Sequence, residues 1–119
     1  MTPGEYIRLR REAAGLSIGD VMALLGGGGM LSAPIDEIER GIAQPTGFDG
    51  ALLAWAIPID DRLLDRLKHG EPVQLCAGCG CSHGHECRHG DFGTCTLDGA
   101  LCSVCAWEAA VARRSEAAA

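Results

Sequence analysis

All seven cysteines of this 119-residue chain fall between Cys76 and Cys105. Four of them form Cys-x-x-Cys clips, Cys76 with Cys79 in "CAGC" and Cys102 with Cys105 in "CSVC". A two-residue spacer turns two thiolates toward one point, and two such clips complete a tetrahedral set around an ion of zinc's size. Cys76, Cys79, Cys102 and Cys105 are therefore the first expected metal site. Cys81, Cys87 and Cys95 remain, with His83, His85 and His89 among them. Three thiolates and one of these imidazoles make a second four-coordinate set, so the residues account for two zinc ions. A single zinc with three spare thiols is the plainer alternative. An iron-sulfur cluster on four cysteines, or thiol redox chemistry, is a further one.

The donor set points to structure rather than catalysis. Catalytic zinc keeps an open position behind three protein ligands and places a base beside it. Here ligands are abundant, and an all-thiolate ion is a weak Lewis acid, although Glu86, Asp91 and the histidines stand nearby. The glycine run at residues 26–29 lacks the lysine and the strand-to-helix setting of a phosphate cradle, and no serine triad is present. The chain reads as a non-enzyme.

So short a segment builds no core alone, so metal binding is expected to supply most of its folding free energy. Gly80 relaxes the turn after the first clip. The stretch "AWEAAVARR" after Cys105 is rich in helix formers, which puts Cys102 and Cys105 at a helix start, where the dipole favours thiolate. A knuckle, a loop or hairpin, and a helix whose first turn carries the last two ligands is similar to a treble-clef zinc module. The tail also resembles cysteine-rich ends of small phage and proteobacterial proteins, which implies metal binding. Trp107 is expected to pack between this module and the rest of the chain.

The residues ahead of the clips must be a separate part, so we expect one domain over residues 1–70 and a metal module over 71–119. The first reads as five short helices. "TPGE" offers Thr2 as cap with Glu5 three residues on, and Tyr6, Leu9 and Ala13 follow at helical spacing up to Gly15. Ser17 and Asp20 open a second helix that runs to about Leu25, before the glycines. "SAPIDEIERG" predicts a third helix ending at Gly41, "TGFDGALLAWA" a fourth introduced by Thr46, and "DDRLLDRLKHG" a fifth closed by Gly70. Trp55, with Leu52 and Leu53, is expected in the core of the fourth helix, and His69 is expected to pair with the dipole of the fifth.

"RLRREAAGLSIGDV" followed by "IDEIERGIAQPT" resembles the helix-turn-helix family of phage repressors and Cro-type regulators, over residues 4–60. The resemblance implies a repressor-like five-helix bundle and a structural pair between Arg11 and Glu39. It also implies double-stranded DNA as partner, with Arg8, Arg10, Ser32 and Arg40 as contacts. The chain departs from the family pattern at Ile18, where a polar phosphate contact is usual, and at Met22, where a small residue is usual. Its groove-facing stretch would be "LSAPIDE", in which only Ser32 is a base-reading type.

Charge frames the choice of partner. The net charge is -6, and residues 1–70 hold 7 basic and 10 acidic side chains. Nucleic-acid binders usually carry a basic excess. Two readings follow, and the first is the expectation, because the resemblance favours it. A phage-type transcriptional regulator predicts a basic face of Arg8, Arg10, Arg11 and Arg40. A protein-interaction module on the same scaffold predicts an exposed apolar patch around Met30 and Leu31 instead. Homodimers suit either. The charged start reads against a signal peptide and the shortness of "ALLAWAIPI" against a membrane span, and free clustered thiols fit the cytoplasm, so a cytoplasmic protein is expected.

Overall fold

The computed structural model describes residues 1–27, 29–82 and 100–118, with side chains as far as residue 114. The chain divides into two compact units, Met1–Val73 and Gln74–Ala119. The first holds α1 (Pro3–Ala13), α2 (Ile18–Leu24), α3 (Ile35–Glu39), α4 (Gly47–Ala56) and α5 (Asp61–Lys68). The second holds α6 (Ser103–Ala118). Among the described residues there is no strand, and no helix is long and apolar enough to cross a membrane.

Helix starts follow from short polar side chains. Thr2 accepts the Glu5 N–H at 3.1 Å. Ser17 with Asp20, and Thr46 with Asp49, form complete reciprocal boxes. Asp60 caps α5 by accepting from the Arg62 N–H at 2.9 Å. α3 starts differently, on Pro34, with no side-chain cap. Four helices share one ending. After α1 the N–H of Gly15 donates to Glu12 and that of Leu16 to Arg11, and the same paired bonds follow α2, α3 and α5. The motif needs a left-handed residue, supplied at Gly15, Gly26, Gly41 and Gly70 with φ of 73, 65, 79 and 71°.

α1 packs on α3 and α5, and α4 packs on α5. The core is Tyr6 and Ile7 of α1, Val21 of α2, Ile35 and Ile38 of α3, Leu53 of α4, and Leu64 and Leu67 of α5. Gly4 permits the α1–α3 approach, because a Cβ there would fall on the carbonyls of Ile38 and Glu39. Polar groups fasten the α4–α5 connection to α1. The Tyr6 hydroxyl accepts the Asp60 N–H at 3.0 Å, and Arg10 Nε donates to the Pro58 carbonyl at 2.8 Å. Burial pushes the Tyr6 phenol above its usual range, so it stays a neutral partner there.

One tryptophan departs from expectation. Trp55 is 88% exposed, and Leu53 holds the core position of α4 in its place. "ALLAWA" is apolar on every side, so its pattern does not choose an inner face. Trp107 is 66% exposed.

Candidate metal centre

The first clip is a tight turn. Gly80 donates to the Cys76 carbonyl at 2.8 Å, and its own φ of 73° completes the reversal. Inside the turn, the N–H of Gly78 points at Cys76 Sγ at 3.3 Å. A second contact brings the distant clip alongside, as Ala77 N–H donates to the Ala100 carbonyl at 2.8 Å. Cys102 N–H then also reaches Cys76 Sγ, at 3.3 Å.

Cys102 immediately precedes α6 and caps it. Its carbonyl accepts from Ala106 at 2.9 Å and its Sγ from the Cys105 N–H at 3.5 Å, the place a serine or aspartate oxygen usually takes. Cys105 lies in the first helical turn, so the second clip is one helix start with two thiols. All four residues are buried, and their Sγ atoms lie within 4.8 Å of one another. Cys79 and Cys102 approach to 3.9 Å. Four sulfurs bound at about 2.3 Å in a tetrahedron stand about 3.8 Å apart, so this cradle fits a tetrathiolate zinc with small adjustment.

The electrostatics suit a cation. Burial works to raise the Cys102 thiol, yet the Cys105 N–H and the neighbouring thiols outweigh it and hold Cys102 at about 6. Cys76 is lowered in the same way, against burial, by the N–H groups of Cys102, Cys79 and Gly78. Cys105 goes the other way, raised by burial and by the sulfurs around it. Four thiols so close together, some favouring the thiolate and others resisting it, are compatible with a bound metal cation. None of the described cysteines is in a disulfide.

Gly78 was not foreseen as part of the site. A Cβ there would meet Cys105 Sγ at 3.0 Å, so any larger spacer residue would require Cys105 to shift by a few tenths of an ångström. Cys81, expected to begin the second site, is buried at 1% exposure and hydrogen-bonds through its thiol to Cys102. Cys87, Cys95, His83, His85 and His89 lie outside the described residues. His69 caps α5, its Nδ1–H donating to the Asp65 carbonyl at 2.8 Å.

The residues expected on DNA are scattered in role. Arg10 is 2% exposed and turned toward Pro58, so it belongs to the core and not to a basic face. The Ser32 hydroxyl and N–H both donate to the buried Asp49 carboxylate, the latter at 2.9 Å. Arg8 and Arg40 are exposed, but they line a cleft of about 270 Å³ with Glu5, Asp36 and Glu39. Arg11 and Glu39 form a bidentate pair, with Nε–Oε2 at 2.7 Å and Nη2–Oε1 at 2.8 Å. Met30 is 68% exposed, beside a half-buried Leu31.

No family model, curated protein or solved structure matches the chain.

Proposed function

We propose that the protein is a small, non-enzymatic binding protein. Its C-terminal unit is folded around a structural zinc ion, and its N-terminal unit is a repressor-type helix-turn-helix scaffold that docks on protein. The observation that carries the metal half is the set of four buried thiols converging within 4.8 Å. Cys76, Cys79, Cys102 and Cys105 would hold the ion, and all four positions being thiolates leaves no place for water or substrate. The ion would supply fold stability, tying the knuckle to the start of α6. The treble-clef likeness of that order, and a reducing compartment such as the cytoplasm, belong to the same reading.

Docking on protein is supported by what the helical unit does with its charges. Arg10 is spent on the core, Ser32 on Asp49, and Arg8 and Arg40 share a cleft with three carboxylates. Apolar side chains are exposed instead, among them Leu24, Met30, Phe48 and Trp55. The second reading, a DNA-associated phage-type regulator, is favoured by the Arg11–Glu39 pair that the family resemblance implies.

Two measurements test the proposal. Native mass spectrometry of protein purified without added metal should show bound zinc that a chelator removes with loss of helicity; a folded, metal-free second unit would refute the metal half. Fluorescence anisotropy with mixed-sequence duplex DNA should show no binding at moderate salt. Salt-sensitive binding there would move the conclusion to the DNA-associated reading.

A further inference from the structure

Among the described residues the second unit buries five thiols, one more than a tetrahedral ion takes. Cys76, Cys79, Cys102 and Cys105 converge within 4.8 Å of one another, and Cys81 stands outside that set. It is nevertheless held against it. The Cys76 N–H donates to the Cys81 carbonyl at 2.9 Å, which fixes Cys81 beside the knuckle, and the Cys81 thiol hydrogen-bonds to Cys102.

We propose that Cys81 is the resolving thiol of a peroxide-driven zinc release, in which it forms a disulfide with Cys102. The inference rests on the metal-binding reading above and adds a chemical response to it.

The role follows from what the other sulfurs do. With zinc bound, the four ligands are thiolates directed at the ion and held apart by it. Cys81 touches one of them from outside, so its sulfur can bond to Cys102 without first giving up a place on the metal. Two sulfurs already in hydrogen-bonding contact need to move by less than about 2 Å to reach disulfide length. The bond would also join the elements that the ion joins, since Cys81 follows the knuckle and Cys102 immediately precedes α6. Both residues are buried, which favours an oxidant as small as hydrogen peroxide over a bulky disulfide.

The chemistry balances in two steps. The Cys102 thiolate attacks one oxygen of hydrogen peroxide, the O–O bond breaks, hydroxide leaves, and Cys102 becomes a sulfenic acid. The Cys81 sulfur then attacks the Cys102 sulfur; the S–S bond forms, the S–O bond breaks, and the hydroxyl departs with the Cys81 proton as water. Each sulfur loses one electron, and peroxide takes both. The ion keeps three of its four thiolates and is released to any competing chelator.

The test treats the full, zinc-loaded chain and its Cys81→Ser and Cys81→Ala variants with hydrogen peroxide while a chromophoric chelator reports free zinc. Cleavage after Arg88 puts Cys81 and Cys102 on different peptides, so non-reducing mass spectrometry with fragmentation of the joined peptides identifies the pair. Wild type should release zinc as the Cys81–Cys102 disulfide forms, and dithiothreitol with added zinc should reverse both. The variants should load as much zinc as wild type, release it at least about threefold more slowly, and collect sulfinic acid on Cys102. Variants that release zinc at the wild-type rate, or a wild-type disulfide that leaves Cys81 out, overturn the inference. So does a variant that loads one ion fewer, because Cys81 would then be a ligand. A wild-type chain holding no zinc before oxidation sinks the metal-binding reading as well; one that holds zinc and keeps it in peroxide sinks only the switch.

Discussion

Gly78 and Cys105 stand so close that a single methyl group on the glycine would come within 3.0 Å of the cysteine sulfur. The knuckle and the start of α6 therefore meet backbone to side chain at this point. Gly78→Ala must push Cys105 Sγ away from the other three sulfurs or open the turn. We expect zinc affinity to fall by about tenfold or more, the equivalent of about 1.4 kcal/mol, in competition with a chromophoric chelator. Ala77 is exposed in the same turn, so Ala77→Ser serves as control and should bind as wild type.

Metal should matter to one unit only. The first unit has its own apolar core, whereas much of the burial in the second is of cysteine thiols. Chelation, or Cys102→Ser, should abolish the α6 contribution to the far-ultraviolet spectrum and leave the melting of Met1–Val73 in place. Calorimetry with and without chelator reads this directly. Simultaneous loss of both transitions would contradict it.

The Arg11–Glu39 pair joins α1 to the end of α3, with side-chain exposures of 12 and 5%. Arg11 Nη1 also donates to the Leu16 carbonyl at 2.9 Å, so the guanidinium fastens the α1–α2 turn as well. Glu39→Ala strands a part-buried cation and should lower the stability of the first unit by about 2 kcal/mol in urea unfolding. Arg11→Met combined with Glu39→Leu should recover part of that loss. A single mutant as stable as wild type would show the pair to be idle.

Asp49 makes the first unit acid-sensitive. Burial alone would raise its carboxyl, but the Ser32 hydroxyl and the N–H groups of Thr46 and Ser32 outweigh it and lower the group below its usual 3.8. A depressed folded-state value means stability that is present above about pH 4 and lost as the pH falls through the folded value. Urea midpoints measured across pH 2–7 (about that range) should fall in the acid limb. Asp49→Asn should be less stable at neutral pH and fall less steeply; parallel curves for the two proteins would remove Asp49 as the cause.

Sequence reading succeeded where the decisive contact is local. Thr2, Ser17 and Thr46 cap their helices, and Gly15, Gly41 and Gly70 end them, because each acts within a few residues of itself. The two Cys-x-x-Cys clips are legible for the same reason, since each spacer sets its own bite. It failed where a partner lies far along the chain. Arg10 looked like a surface cation, but the Pro58 carbonyl 48 residues away takes it inside. Ser32 looked free, but Asp49, 17 residues on, holds it. The contact of Gly78 with Cys105 and the close fit of Gly4 against Ile38 and Glu39 have no local signature at all.

The connection from α2 to α3 is pinned at both ends. The paired bonds of Gly26 and Gly27 close one side, and the Asp49 carboxylate holds Ser32 on the other. Gly29, Met30 and Leu31 serve as a spacer, whose lengthening costs closure entropy of about 0.6 kcal/mol per doubling. This makes the stretch from Gly29 to Leu31 a natural splice point: foreign sequence inserted there would enlarge the protein without disturbing how its helices pair, a freedom open to an engineer and to evolution alike.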